Sequence, residues 1–300
     1  MSTVLYYAEL AALSYLGFTA GLFILSLKIA AAGFFARLLA SYICMIACAL
    51  YGVFVSMFLR IVGYGGISQW ATGRAFKYTM RLTTGVQFNI EDPHGYLNST
   101  RPAVFIGNHQ TELDVLMLGC IFPKYCSVTA KSSLKKMPLL GWFMSLSRTV
   151  FIDRSNSTSA RSAMAGAASE IRNKRQSVYM FPEGTRSYSK EPMLLPFKKG
   201  AFHLAVQAGA PIVPVVVANY SNVLYVKKWW FTSGTIPVKV LKPIETKYLT
   251  SANVEDLARD TRELMLRELV DLTSKARGTP IAMPAQTSTN GVIRASGASA

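Results

Sequence analysis

In the stretch GNHQTELD a histidine at position 109 and an aspartate at position 114 follow the apolar run AVFIG, so both fall just past the end of an expected buried strand. An imidazole titrates near neutrality and can take a proton from a hydroxyl, provided a partner fixes its tautomer and stabilises the cation that forms. A turn followed by about one helical turn folds a carboxylate five positions on back toward the ring, which casts Asp114 as the partner of His109. No serine or cysteine stands in an evident place to attack, so the pair would serve a hydroxyl brought by a substrate. On spacing alone, an inert pair is as good a reading as a base.

A second constellation is FPEGTRSYS at 181–189. Pro182 has no ladder hydrogen to donate and ends a strand, and Gly184 permits close approach of the backbone to a ligand. Arg186 offers a planar fork for a phosphate, which the Gly184 and Thr185 amides can join, while Glu183 can hold that arginine or bind a substrate hydroxyl. An ordinary turn with an exposed arginine fits the same string. Lys198 and Lys199 open an expected helix, where positive charge opposes the helix dipole. An anionic ligand such as a phosphate would account for them, and so would a solvated turn. The run Lys227-Lys228-Trp229-Trp230-Phe231 has the composition of an interfacial membrane anchor and, equally, of a buried aromatic cluster. His94 in EDPHG reads as a turn residue and His203 in AFHLAV as a core histidine.

These residues need a scaffold, and the chain from about residue 63 to 275 supplies one. The runs at 103–107, 127–130, 149–152, 177–181, 212–217 and 237–241 are β-branched or aromatic and read as strands. Helical patterns lie between them at 111–121, 138–146, 158–175 and 198–208. In the third of these, Ala160, Met164, Ala167 and Ile171 line one face, with Arg161, Arg172 and Lys174 on the other. The alternation predicts an α/β domain whose central sheet is largely parallel, flanked by helices, with ligands expected at the carboxyl ends of the strands. Asn253 is placed to cap a last helix reaching about residue 275. The segment 276–300, poor in large apolar side chains, is expected to be disordered.

Residues 1–62 have a different character. Eighteen uncharged residues separate Glu9 from Lys28 and 22 separate Arg37 from Arg60. Runs of that length suit membrane helices at about 10–27 and 38–59, forming a retained two-helix hairpin, because Met1 to Leu10 lacks the basic start of a signal peptide. A helix that only dips into one leaflet fits the first, shorter run equally. Arg60, Arg74, Lys77 and Arg81 after the hairpin, against Lys28 and Arg37 within it, favour a cytosolic domain. The net charge of +16 suits membrane lipid and phosphate; the basic residues are scattered among the apolar segments, which argues against nucleic acid as a partner. Cys44 and Cys48 fall in the second apolar run and Cys120 and Cys126 form no metal or redox motif, so all four read as small buried side chains. The chain has no GxSxG elbow, no HExxH, no Walker A loop and no GxGxxG after a strand, and with them go the usual signatures of serine hydrolysis, zinc proteolysis, nucleotide-triphosphate chemistry and dinucleotide binding.

In order and spacing, NHQTELD, FIDR at 151–154, FPEGTRS and APIVPVVV at 210–217 match the motifs of the glycerolipid acyltransferases, and over roughly residues 60 to 270 the chain most resembles lysophosphatidate acyltransferases of the eukaryotic microsomal type. The resemblance implies acyl-CoA-dependent acylation of lysophosphatidic acid to phosphatidic acid, without an acyl-enzyme, in phospholipid and triacylglycerol synthesis. Acyl-CoA is then a co-substrate, and neither a bound cofactor nor a metal is implied. His109 would be the base and Asp114 its orienting partner. Arg186, with Lys131 in TAKSSL, would hold the substrate phosphate, with Glu183 and Gly184 completing that wall and Arg154 toward the glycerol-phosphate end. Pro214 would shape the sheet or the acyl pocket. The implied residence is the endoplasmic reticulum, or a lipid droplet. Another lysophospholipid or glycerol 3-phosphate as acceptor shares the same phosphate clamp, and a non-catalytic membrane-shaping scaffold would need only the hairpin and the basic surface.

Overall fold

Short buried runs of β-branched residues cannot satisfy their backbone alone, and here they pair into one sheet within a computed structural model that describes residues 3–153 and 155–283. The chain enters through two helices, α1 (Thr3–Leu25) and α2 (Ala30–Ile61), then α3 (Ser68–Thr84), β1 (Val86–Glu91), the single turn α4 (Tyr96–Ser99) and β2 (Val104–Gly107). It continues through α5 (Asp114–Ile121), β3 (Cys126–Lys131), α6 (Leu140–Leu146), β4 (Val150–Ile152), α7 (Ser157–Lys174), β5 (Ser177–Met180), α8 (Gly200–Ala208) and β6 (Ile212–Val217). A small hairpin of β7 (Leu224–Tyr225) and β8 (Trp230–Phe231) precedes β9 (Gly234–Val240) and the closing helix α9 (Val254–Arg277).

The sheet runs β1-β9-β6-β2-β5-β3-β4. Every pairing is parallel except β6 with β9, so the sheet is mostly parallel as the strand-helix alternation predicts. β9 pairs with β6 only from Val215 onward, directly after Pro214, whose nitrogen has no hydrogen to give. Strand alternation then sorts the core. Phe105 and Val213 face a layer holding Met80 of α3 and Leu116 and Met117 of α5. Val104, Ile106 and Val216 face α7, α8 and α9 through Ile171, Phe202 and Met265. All four cysteines are free and buried.

Both N-terminal helices are long and apolar enough to cross a membrane, and both begin earlier than hydropathy alone suggests. They differ in what they touch. α1 exposes apolar side chains nearly all round, burying Thr19. α2 buries Ala32, Ala36, Ala40, Cys44, Cys48, Gly52 and Ser56, a row of small residues four apart that allows close approach of another helix. That helix is α3: Cys44 Sγ lies 3.4 Å from Thr83 Oγ1, Cys48 Sγ lies 3.5 Å from Thr79 Oγ1, and a Cβ on Gly52 would come within 2.9 Å of Thr72. The opposite side of α2 leaves Phe54, Met57, Phe58 and Ile61 exposed. The second hydrophobic segment is thus fastened to the α/β domain along its length, and its outer face is left exposed.

Several sequence expectations shift. Helices expected from Thr111 and Lys198 begin at Asp114 and Gly200. Thr250, with Asn253 completing a capping box, starts the last helical segment, so Asn253 supports the cap from within it. His203 is exposed, not buried; it lies on the outer side of α8 while Phe202 and Leu204 face the core. The chain stays ordered beyond residue 277, where Gly278 caps α9 and Ile281 returns to hydrogen-bond Ser274 Oγ at 3.0 Å. Arg154 and the rest of the tail from 284 lie outside the described residues.

Candidate active site

The site forms where β2 ends, because Gly107 clears the way. A Cβ there would collide with the hydroxyl of the fully buried Tyr179 on β5, so only glycine lets the chain turn out of the sheet at this point. Asn108 then takes the place of a strand residue: Val217 N–H donates to its Oδ1 at 2.8 Å and its Nδ2 donates to Val217 O at 3.0 Å. This fixes the exit of β2 against the end of β6. Gln110 extends the tie, its Nε2 donating to Val217 O at 3.2 Å and Ala218 O at 3.0 Å.

His109 emerges between these anchors. Its Nδ1 lies 2.7 Å from Asp114 Oδ2, and the ring stacks on Phe181 with centroids 4.1 Å apart and planes within 17°. Asp114 is 1% exposed and is met by further donors, Gln110 N–H to Oδ2 at 2.6 Å and the Tyr220 hydroxyl to Oδ1 at 2.7 Å. It also opens α5, where the helix dipole favours a carboxylate. With acceptor-only oxygens facing Nδ1, the neutral ring carries its proton there and presents Nε2 as a hydrogen-bond acceptor. Burial and the nearby Asp114 push the Tyr220 phenol well above its ordinary range, so it remains a donor.

The FPEGTRS loop docks against NHQTELD. Ser187 N–H donates to His109 O at 3.0 Å and Tyr188 N–H to Gln110 O at 3.1 Å. Glu183 turns inward instead of toward Arg186: it is 2% exposed, and its two oxygens accept from His109 N–H at 2.7 Å and Leu195 N–H at 2.9 Å. Arg262 of α9 holds the 194–195 segment in turn, Nε donating to Leu195 O at 3.1 Å and Nη2 to Leu194 O at 2.6 Å. Arg186 instead meets Glu112 Oε1 at 3.0 Å and the Tyr188 hydroxyl at 3.1 Å.

Burial pushes the Glu183 carboxyl up to about 7, against the two N–H donors that favour its ionised form. The folded protein therefore binds more protons than the unfolded chain between the ordinary value of 4.5 and about 7. Stability present below the lower value is lost as pH rises through the upper one. Relative to Glu183→Gln, the wild type should lose about 3 kcal/mol over that window. Thermal unfolding in detergent micelles at a series of pH values reads this directly, and parallel curves for the two proteins would contradict it.

The other candidate residues are spread along the same edge. Gly184 is in the left-handed region (φ 70°), and a Cβ on it would meet the Lys198 side chain at 2.9 Å, so Lys198 lies over the loop. Lys199 points elsewhere and pairs with Glu255 at 3.0 Å. Thr185 is exposed beside Gly184. Lys131 ends β3, two strands from β2 on the same edge of the sheet, and is exposed. In the Lys-Trp-Phe run both sequence readings hold in part: Trp229 and Trp230 are exposed, with Trp229 against Phe35 of α2, while Phe231 is buried. The roles of Asn108, Tyr220 and Glu112 escaped the sequence. NHQTELD contains two of them, but their partners lie 74 to 109 positions away.

Residues 89–218 match the family described as Acyltransferase. The chain is 42% identical over 225 residues to the 1-acyl-sn-glycerol-3-phosphate acyltransferase of Saccharomyces cerevisiae, covering 75% of this chain and 74% of that one. It is 42% identical over 184 residues to the human 1-acyl-sn-glycerol-3-phosphate acyltransferase beta, covering 61% of this chain and 64% of that protein. Among solved structures, the 1-acyl-sn-glycerophosphate acyltransferase PlsC of Thermotoga maritima superposes with a TM-score of 0.59 over 78% of this chain and 95% of its own, at 21% identity, which establishes a shared fold.

Proposed function

The chain belongs to the 1-acyl-sn-glycerol-3-phosphate acyltransferase family, and from that premise we propose that it transfers an acyl group from acyl-CoA to the free glycerol hydroxyl of lysophosphatidic acid, giving phosphatidic acid. The observation that carries this reading is the buried Asp114 holding His109 by Nδ1 at 2.7 Å, which turns Nε2 into a base. Nε2 takes the acceptor's hydroxyl proton as that oxygen attacks the thioester carbonyl. The tetrahedral intermediate collapses by breaking the C–S bond, and the imidazolium returns its proton to the departing CoA thiolate. No protein nucleophile enters, so no acyl-enzyme forms.

Glu183 acts through His109, pinning its backbone N–H, and thereby positions the base without touching substrate. Arg186 and Lys131 receive the acceptor's phosphate, with the Gly184 and Thr185 amides beside Arg186, and the motif resemblance alone assigns Arg154 to the glycerol-phosphate end. Lys198, lying over Gly184, is the better placed of the two lysines for a CoA phosphate, since Lys199 is already matched by Glu255. The apolar outer faces of α1 and α2, with Trp229 and Trp230 alongside, seat the site at a membrane surface, and soluble acyl-CoA points to the cytosolic side of the endoplasmic reticulum. The product would feed phospholipid and triacylglycerol synthesis.

Membranes carrying the chain test this through thiol release from acyl-CoA, with lysophosphatidate, headgroup-bearing lysophospholipids and glycerol 3-phosphate offered in parallel. Lysophosphatidate should give the highest kcat/KM. A higher value with any other acceptor would reassign the substrate, and no acceptor-dependent release would remove acyl-CoA as donor.

A further inference from the structure

Arg186 is not waiting open-handed for a phosphate. Its Nη1 donates to Glu112 Oε1 at 3.0 Å, and the Tyr188 hydroxyl donates to that same oxygen at 2.6 Å. A guanidinium and a phenol converging on one anionic oxygen is how a phosphate oxygen would be held, so the Glu112 carboxylate stands where such an oxygen would sit. Arg186 also retains a buried Nε with no hydrogen-bond partner among the described residues, a donor that Glu112 leaves unused. Backbone hydrogen bonds from Ser187 and Tyr188 to His109 and Gln110 hold the two loops together, so the pair can part by rotation of the Glu112 side chain alone. Glu112 is 53% exposed and can swing into solvent without leaving a charge buried.

We propose that Glu112 is a specificity-determining residue that competes with the acceptor's phosphate for Arg186 and Tyr188. The proposal rests on the reading of Arg186 as the phosphate ligand. An acceptor carrying a dianionic phosphate outbids a half-exposed carboxylate, whose hold on the arginine is weak. Acceptors with less negative charge displace it less readily, so Glu112 selects for the phosphate monoester and sets the acceptor's KM.

The test is steady-state kinetics of the purified full chain in mixed micelles, with lysophosphatidate varied, for wild type, Glu112→Gln, Arg186→Ala and the double variant. Removing the charge of Glu112 should lower the acceptor KM by about threefold with kcat unchanged. Arg186→Ala should raise it by about tenfold or more, and Glu112→Gln should then have no further effect. The outcomes separate the two readings. If Arg186→Ala leaves the acceptor KM unchanged, the phosphate-ligand reading fails and the competition with it. If Arg186→Ala raises KM while Glu112→Gln raises it too or leaves it alone, Arg186 keeps its role and the competition is overturned, with Glu112 reassigned as a brace for the arginine.

Discussion

Replacing His109 by alanine is expected to lower kcat by about 10³-fold while leaving the KM for acyl-CoA near the wild-type value. Among the described residues at the end of β2, the ring is a proton-accepting group held in place by a buried carboxylate. Its removal takes away transition-state stabilisation and no binding contact to the donor. The fold should survive, because the anchors of this turn are the Asn108 and Gln110 side chains and the His109 backbone, none of which the substitution touches. Membranes with equal amounts of each protein, assayed for CoA release with lysophosphatidate present, give the comparison. A loss confined to the KM for acyl-CoA would place His109 in donor binding instead.

Asp114→Asn should cost nearly as much, about 10³-fold in kcat, for a different reason. An asparagine amide can donate to Nδ1, which then carries no proton, so Nε2 becomes N–H and the base faces the substrate in the wrong tautomer. With nitrogen in the Oδ2 position, Gln110 N–H also loses its acceptor, while the Tyr220 hydroxyl keeps Oδ1. Tyr220→Phe isolates the supporting shell. It removes one donor from Asp114 and leaves Thr111 N–H unmatched, so it should lower kcat by only about threefold to tenfold and cost about 1–2 kcal/mol of stability. If Tyr220→Phe were as damaging as Asp114→Asn in an equally folded protein, the tautomer argument would fail, since the phenol does not face the ring.

The parts of the site that follow from local chain geometry were legible in the sequence. A histidine and an aspartate five apart after an apolar run can be folded onto one another by any strand-turn-helix, and so can a glycine-arginine turn after a strand. The strands β2, β5 and β6 announced themselves because they are buried on both faces and largely apolar. β1 did not. Its VQFNIE alternates buried and exposed positions at a sheet edge, and its partner β9 lies about 150 residues further along the chain. α3 was hidden for a related reason: it is flanked by a long apolar helix and the domain, so the small row on α2 and the threonines on α3 make sense only once the two are packed.

Charge assignments were harder still. Glu183 beside Arg186 in sequence suggested an ion pair, but a left-handed Gly184 between them sends the two side chains to opposite sides of the loop. The inward carboxylate finds His109 N–H and the outward arginine finds Glu112, 74 positions away. No rule based on neighbours along the chain reaches such pairs. They are set by which loops meet at the carboxyl end of the sheet, a property of strand order.

The central claim is that His109 activates the acceptor and that the acyl group passes to it in one displacement. Mixing a stoichiometric amount of enzyme with radiolabelled acyl-CoA before adding lysophosphatidate tests it directly, by following CoA release and intact protein mass. The account predicts no CoA burst and no acylated protein until the acceptor arrives, then CoA and phosphatidate appearing in equal amounts in wild type and about 10³-fold more slowly in the His109→Ala protein. A burst of CoA without acceptor, matched by an acyl adduct on the chain, would contradict it.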